Sequence, residues 1–220
     1  MTDARRQETA KLIFTIGANL AIIVFTVYSV LGFFVAGGDG NMKVVGVTAF
    51  RYFTVDSNIL AAVSSLVVII CAVREYRGLK TPGWVRIFNL AATVSVMLTL
   101  LTVVCFLGPF VYGYPLMFEG TSLYMHLVTP LIKLASFVWL ESINAPRMKR
   151  RYMIFGIAPM LAYGAVYCGM VVLARQWEDF YSFNQNGLFP LSVVIMVTAT
   201  AAISYAVGLW ANFSAKWLKI

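Results

Sequence analysis

Two residues of the chain have side chains that together could cleave an ester: Thr54 and the only histidine, His126. A threonine hydroxyl is a weak nucleophile until a base removes its proton, and neutral histidine is the usual base near neutral pH. Each residue also has a purely structural interpretation. A hydroxyl can join two packed helices, and a lone histidine is often a hydrogen-bonded core residue.

Thr54 belongs to a stripe of small and polar residues. They recur at intervals of three and four: Thr54, Ser57, Asn58, Ala61 and Ser65. This spacing places them on one face of a helix, which must point into a bundle. Either close helix packing or a binding site explains such a face. In a hydrolase, Asn58 and Tyr52 are the nearest candidates to donate hydrogen bonds to a tetrahedral oxyanion.

The segments that must position these residues are six apolar stretches, at about 12–36, 50–73, 84–107, 121–140, 152–174 and 188–211. Each is close to the ~20 residues that cross the hydrocarbon of a bilayer, and none alternates with period two. Only 12% of the residues are charged, whereas soluble domains have about 25%. The sequence therefore predicts an all-α membrane bundle of six spans that forms one domain over 1–220.

Lysine and arginine predict the orientation of this bundle. Thirteen of the 17 basic residues lie before the first span, between the second and third, between the fourth and fifth, or after the sixth. By the positive-inside rule, both termini are cytoplasmic and the protein is a multi-pass protein of the plasma membrane. The second and fourth spans then both begin outside. Thr54 and His126 lie about three and five residues past those ends, so their depths differ by only about 3 Å.

Other unusual residues are predicted to lie near Thr54 and His126. Lys133 is predicted either to form an internal ion pair with Asp56 or to bind the headgroup of an anionic lipid. Tyr163 and Tyr167, one helical turn apart, either line the same cavity or pack in the core. The loop from Trp177 to Asn184 is acidic and aromatic, which fits a belt at headgroup depth or a lid over a site.

Several function classes are disfavoured. The net charge of +8 comes from short basic clusters between apolar runs and no nucleic-acid motif is present, so we expect no nucleic-acid partner. One histidine and three cysteines without a metal-binding spacing argue against a metal site. The chemistry proposed for Thr54 and His126 implies no organic cofactor.

The residues Tyr52-Phe53-Thr54-Val55, Ser57-Asn58, His126 and Pro130 resemble the androgen-induced membrane protein family of multispan hydrolases. Pro159, Tyr163 and Tyr167 resemble the fifth span of that family, so the chain looks like a divergent bacterial relative. The resemblance implies hydrolysis of fatty acid esters of hydroxy fatty acids by an intramembrane threonine, here Thr54, with His126. Asp56 and Lys133 stand where relatives are expected to be apolar, which affects the expected substrate.

These observations favour a hydrolase of lipid (fatty acyl) esters that acts on membrane lipids or lipid-like esters. A small-solute or lipid transporter is the alternative, because Asp56, Lys133 and His126 could form a proton-coupled pathway. A non-catalytic scaffold is the third interpretation, in which the polar stripe only packs helices. The sequence predicts no oligomeric state.

Overall fold

A computed structural model describes residues 3–35, 46–143, 145–184 and 187–217 of the chain. Within these ranges the chain forms helices and no strand. The six long helices are α1 (Asp3–Gly32), α2 (Phe53–Tyr76), α3 (Gly83–Tyr112), α4 (Gly120–Leu140), α5 (Arg150–Leu173) and α6 (Phe189–Trp217). All six are long and apolar enough to cross a membrane, which confirms the predicted polytopic helical bundle.

Three helix ends differ from the predicted spans by more than four residues. α1 begins at Asp3, well before residue 12, and α6 continues to Trp217. Hydropathy detects only the apolar part of a helix, so polar extensions are missed. α3 continues through Pro109, beyond the predicted end of the span at 107, because its turns from Val103 to Tyr112 widen to a π-helix that tolerates the missing proline N–H. The predicted end of the first span, at 36, lies outside the described residues.

α3 is the central helix of the bundle. In the most apolar 18-residue stretch of α3, 67% is buried, compared with 17% for α5 and 22% for α6. α3 packs against α2, α4, α5 and α6, while α1 packs against α2 and α4. The apolar outer faces of α5 and α6 are therefore the surfaces most available to lipid.

Small residues let α5 and α6 approach closely. A side chain at Gly156 would collide with Ser204, whose hydroxyl donates a hydrogen bond to the Met153 carbonyl. A side chain at Gly208 would likewise collide with the Met153 side chain. This contact joins α5 to α6, in addition to the packing of α5 against α3.

The two ends of the bundle differ in chemistry. We call the end at which α2, α4 and α6 begin the outer end; there the loop from Trp177 to Asn184 packs against the start of α2. The inner end carries the connection between α2 and α3 and the segment before α5, both rich in basic residues. Thr54 lies at the outer end.

Candidate active site

A cavity of about 290 Å³ lies between α2, α3, α5 and α6 at the outer end. Ligand pockets in proteins begin at about 300 Å³, so this cavity can accept part of a small or chain-like ligand. Its walls are mainly aliphatic and aromatic, and they include Thr54, Thr102, Met160, Tyr163, Tyr167 and Tyr181. An apolar chain therefore fits the cavity better than a polar solute does.

Thr54 is the second residue of α2, and its side chain is on the cavity wall with 5% of its surface exposed. Its backbone is held by two neighbours, since Ser57 Oγ and Asn58 Nδ2 donate to the Thr54 carbonyl at 3.1 and 2.8 Å. The amino end of a helix carries a partial positive charge. These bonds hold the Thr54 backbone at a helix end, where negative charge that develops on a ligand is stabilised.

His126 is 1% exposed and lies in a wide π-helical turn of α4, from Tyr124 to Val128. Its Nδ1 is 2.6 Å from the carbonyl oxygen of Met117. A carbonyl can only accept, so Nδ1 must carry the hydrogen, and the neutral ring then has its lone pair on Nε2. This tautomer is the one that a general base requires, and the Met117 carbonyl orients the ring as a carboxylate does in a catalytic triad.

Asn58 joins the two helices at this level. Its Nδ2 donates to the Thr54 carbonyl and also to the Met125 carbonyl, at 3.1 Å. α2 and α4 are therefore in contact within one residue of His126. His126 is not among the residues that line the cavity, whereas Thr54 is. The structure brings the helices of the predicted pair together but places only the threonine on the cavity wall.

The predicted oxyanion donors need correction. Both amide hydrogens of Asn58 are used by carbonyl groups, so this side chain cannot also donate to an oxyanion. Tyr52 precedes α2 and packs at a tilt against Phe180, with ring centroids 4.5 Å apart, and it does not line the cavity. Ser57 contacts Thr99 Oγ1 on α3 at 3.0 Å, which is the helix-packing role that its spacing also allowed.

Tyr181 is a site residue that sequence reasoning missed. It lines the cavity, is 8% exposed, and its hydroxyl accepts a hydrogen bond from the Phe53 backbone N–H at 2.8 Å. That bond uses a lone pair of the oxygen, so the hydroxyl can still donate its hydrogen, and the Tyr163 hydroxyl is a polar group beside it. Burial raises the pKa of Tyr181, so it keeps this hydrogen at neutral pH. Its position in an irregular loop offered no periodicity from which to infer its direction.

The loop from Trp177 to Asn184 covers the cavity and is held by Asp179. The Asp179 carboxylate accepts from the Tyr167 hydroxyl at 2.7 Å and from the backbone N–H groups of Phe183 and Asn184 at 3.0 and 2.6 Å. Tyr181 and Phe183 of this loop contribute to the cavity lining. Side chains that point into the bundle fit a lid better than a belt at the headgroups.

Both predicted tyrosines of α5 line the cavity. The Tyr163 hydroxyl donates to the Arg51 carbonyl at 2.6 Å, and the Tyr167 hydroxyl donates to Asp179. Their rings form part of the cavity wall, and their hydroxyls join α5 to the segment before α2 and to the loop that contains Asp179. The two expectations for these residues, packing and cavity lining, therefore both apply.

The predicted ion pair between Lys133 and Asp56 is wrong. Lys133 is fully buried, and its Nζ donates to Ser65 Oγ at 3.0 Å and contacts Asn19 Oδ1 at 3.5 Å. Ser65 is nine residues beyond Asp56 on α2, about 13 Å along the axis. Asp56 itself lies half-buried at the outer end. Lys133 is also absent from the lining of the Thr54 cavity.

A chain of polar side chains leads from Lys133 toward the inner end. Asn19 Nδ2 donates to Ser136 Oγ at 2.9 Å, and Ser136 Oγ donates to Glu141 Oε1 at 2.7 Å. Asn89 Nδ2 donates to the other oxygen of that carboxylate. Glu141 is thus the carboxylate that offsets the buried ammonium, through intervening polar groups.

Comparisons with known proteins leave the site to be interpreted from its geometry. No family model matches the chain, and no curated protein or solved structure is significantly similar to it. Within the described ranges, no three His, Cys, Asp or Glu side chains converge in a way that could hold a metal ion.

Proposed function

We propose that the chain is an intramembrane hydrolase of lipid esters, with Thr54 as nucleophile and His126 as general base. One observation carries the proposal: a buried threonine hydroxyl at the amino end of α2 forms part of the wall of an apolar cavity, and the turn of α4 that carries His126 packs against the same part of α2. The resemblance of these positions to an intramembrane threonine hydrolase family supports the same assignment.

In the proposed reaction, Thr54 Oγ1 attacks the carbonyl carbon of the ester while His126 Nε2 takes its proton. The carbonyl oxygen becomes an oxyanion, to which Tyr181 donates its hydroxyl hydrogen near the positive end of α2. His126 then passes its proton to the leaving alkoxide, and the products of this half-reaction are an alcohol and an acyl-threonine.

Water completes the cycle. It attacks the acyl-threonine, His126 takes a proton from the water, and the second tetrahedral intermediate collapses to a fatty acid and the free Thr54 hydroxyl, which recovers the proton from His126. Asn58 Oδ1 and Thr129 Oγ1 are buried without a protein partner. Asn58, whose amide nitrogen bonds the Thr54 carbonyl, can accept a hydrogen bond from this water through Oδ1.

Covalent labelling tests the proposal directly. An alkyl fluorophosphonate should attach to Thr54 of the purified, folded protein, and it should fail to attach after Thr54→Ala or His126→Ala. Thr102→Ala is the matched control, because Thr102 is another threonine of the same cavity. It should be labelled like the wild type.

Hydrolysis of a panel of long-chain acyl esters completes the test. The single alanine variants of Thr54 and His126 should each lose nearly all activity, and the double variant should be hardly worse, because residues that act as one unit lose activity non-additively. A wild type that resists labelling and cleaves no ester of the panel would remove the hydrolase assignment.

A second candidate function, proton-linked transport, is favoured by one observation: the polar chain from Lys133 through Asn19 and Ser136 to Glu141. Buried ionisable groups in membrane proteins often mark proton pathways. Proteoliposomes that contain a pH-sensitive dye distinguish the two functions. A proton flux that Lys133→Met abolishes and Thr54→Ala leaves intact would favour transport.

The orientation with cytoplasmic termini remains part of the proposal. A single cysteine at position 147 should resist membrane-impermeant maleimide in intact cells, whereas a cysteine at position 184 should react. The opposite pattern would place the Thr54 cavity near the cytoplasmic leaflet and change the lipids available to it.

A further inference from the structure

A second, larger space opens at the inner end of the bundle. This crevice of about 940 Å³ lies between α1, α2, α3 and the segment before α5, at the opposite end of α2 from Thr54. Five cationic side chains line it: Lys11, Lys80, Arg86, Arg147 and Lys149. Three carboxylates, Glu8, Glu75 and Glu141, also line it, so the positive charges are in excess.

Hydrogen-bond donors without partners are concentrated in this crevice. Five buried side-chain atoms of the described residues have no hydrogen-bond partner, and three of these line the crevice: Thr15 Oγ1, Thr81 Oγ1 and Arg86 Nη2. Thr15 is only 3% exposed. The other end of the Arg86 guanidinium, Nη1, donates to the Pro146 carbonyl, which holds the group in place. A guanidinium can only donate, so the partner that Arg86 lacks is an acceptor.

The backbone adds donors at the same place. α3 begins at Gly83, between Thr81 and Arg86, and no side chain caps its first N–H groups. The amino end of a helix carries a partial positive charge and unsatisfied amides, a combination that favours anions. Together, the buried Nη2 atom of Arg86, the two hydroxyls and the helix end favour a ligand with several acceptor oxygens and negative charge.

The nearby carboxylates do not fill this role. Glu141 accepts hydrogen bonds from Asn89 on one oxygen and from Ser136 on the other. Glu8 and Glu75 are exposed at the crevice margin. The charge of Glu141 acts on Arg86, but none of the three is within ion-pair distance of Arg86 among the described contacts, so Arg86 Nη2 still lacks an acceptor.

We propose that this inner crevice is a binding site for a phosphate group, either on the headgroup of an anionic lipid or on a soluble phosphate ester. Phosphate oxygens accept several hydrogen bonds at once and pair with arginine in a bidentate way. Apolar residues such as Leu12, Val68 and Phe137 form other parts of the wall and suit the glycerol or acyl portion of a lipid. The site is independent of the proposed ester hydrolysis.

Binding to purified protein in a neutral detergent tests the site without any assay of activity. The ligands are phosphatidic acid, diacylglycerol with the same acyl chains, glycerol 3-phosphate and inorganic phosphate, and binding is followed by native mass spectrometry and thermal stabilisation. We expect phosphatidic acid to bind more tightly than diacylglycerol. Binding by the soluble phosphates as well would assign the site to phosphate itself, and their failure to bind would assign it to the lipid.

Three variants define the expected result. Arg86→Gln removes the charge-assisted bond and should weaken phosphatidic acid binding at least about tenfold. Thr15→Val should fold at least as well as the wild type, since the lost hydroxyl has no protein partner, and should also bind more weakly. Arg150→Gln is the control, because it removes an exposed positive charge of the inner end outside the crevice. It should bind like the wild type.

Two results would overturn the proposal. The first is equal binding of phosphatidic acid and diacylglycerol by the wild type, which would reduce the crevice to an apolar surface. The second is a combined result: the folded Thr15→Val variant binds phosphatidic acid with wild-type affinity, and Arg86→Gln and Arg150→Gln lose equal affinity. Net positive charge alone would then explain the binding.

Discussion

The hydroxyl of Tyr181 should contribute both to the stability of α2 and to catalysis, and Tyr181→Phe separates this hydroxyl from the ring. The ring is surrounded by aromatic neighbours, and phenylalanine keeps these contacts. The change therefore removes only the oxygen that accepts from the Phe53 N–H. A buried donor left without an acceptor costs about 1–3 kcal/mol, and loss of a helix cap about 0.5–2 kcal/mol.

We expect Tyr181→Phe to lower the free energy of unfolding by about 1–2 kcal/mol, because both figures describe the same lost bond. If the hydroxyl also donates to the oxyanion, kcat should fall about 10²–10³-fold, the usual loss for one such donor. The assays are denaturant or thermal unfolding in detergent and the hydrolysis of a long-chain ester by the same preparation.

Tyr163→Phe is the matched control. It removes another hydroxyl from the same cavity, the one that donates to the Arg51 carbonyl, and should cost a similar free energy of unfolding with a much smaller loss of kcat. An unchanged unfolding midpoint for Tyr181→Phe would refute the capping role. Equal losses of kcat in the two variants would refute the assignment of Tyr181 as oxyanion donor.

Two further predictions concern the structure of the bundle. Lys133→Met should lower the free energy of unfolding because Glu141 loses its buried cation, and adding Glu141→Gln should recover part of the loss. A coupling energy below about 0.5 kcal/mol in this double-mutant cycle would contradict the electrostatic link. Gly156→Ala should destabilise the contact of α5 with Ser204 by about 1–3 kcal/mol, whereas Gly164→Ala, whose added methyl meets nothing closer than 3.8 Å, should be close to neutral in thermal unfolding.

The membrane class, the six helices and the polar stripe could be inferred from the sequence alone. Hydrocarbon requires long apolar helices, so composition and length suffice for that inference. The spacing of Thr54, Ser57 and Asn58 likewise places them on one inward face whatever the neighbours are. The predicted inner ends of the spans agree with the observed helix ends where apolar residues directly follow charged ones. At the start of α5, for example, the predicted residue is 152 and the helix begins at Arg150.

Only the tertiary structure decided which side chains meet. Helix depth in the sequence favoured Asp56 as the partner of Lys133. The packing of α4 against α1 and α2 instead gives Lys133 the partners Ser65 and Asn19, and Asn19 leads through Ser136 to Glu141. Asn58 carried the right group for an oxyanion donor, but two backbone carbonyls use both of its hydrogens. Tyr181 reaches the cavity from a loop, because its direction depends on the hydrogen bonds that hold that loop and on no local period.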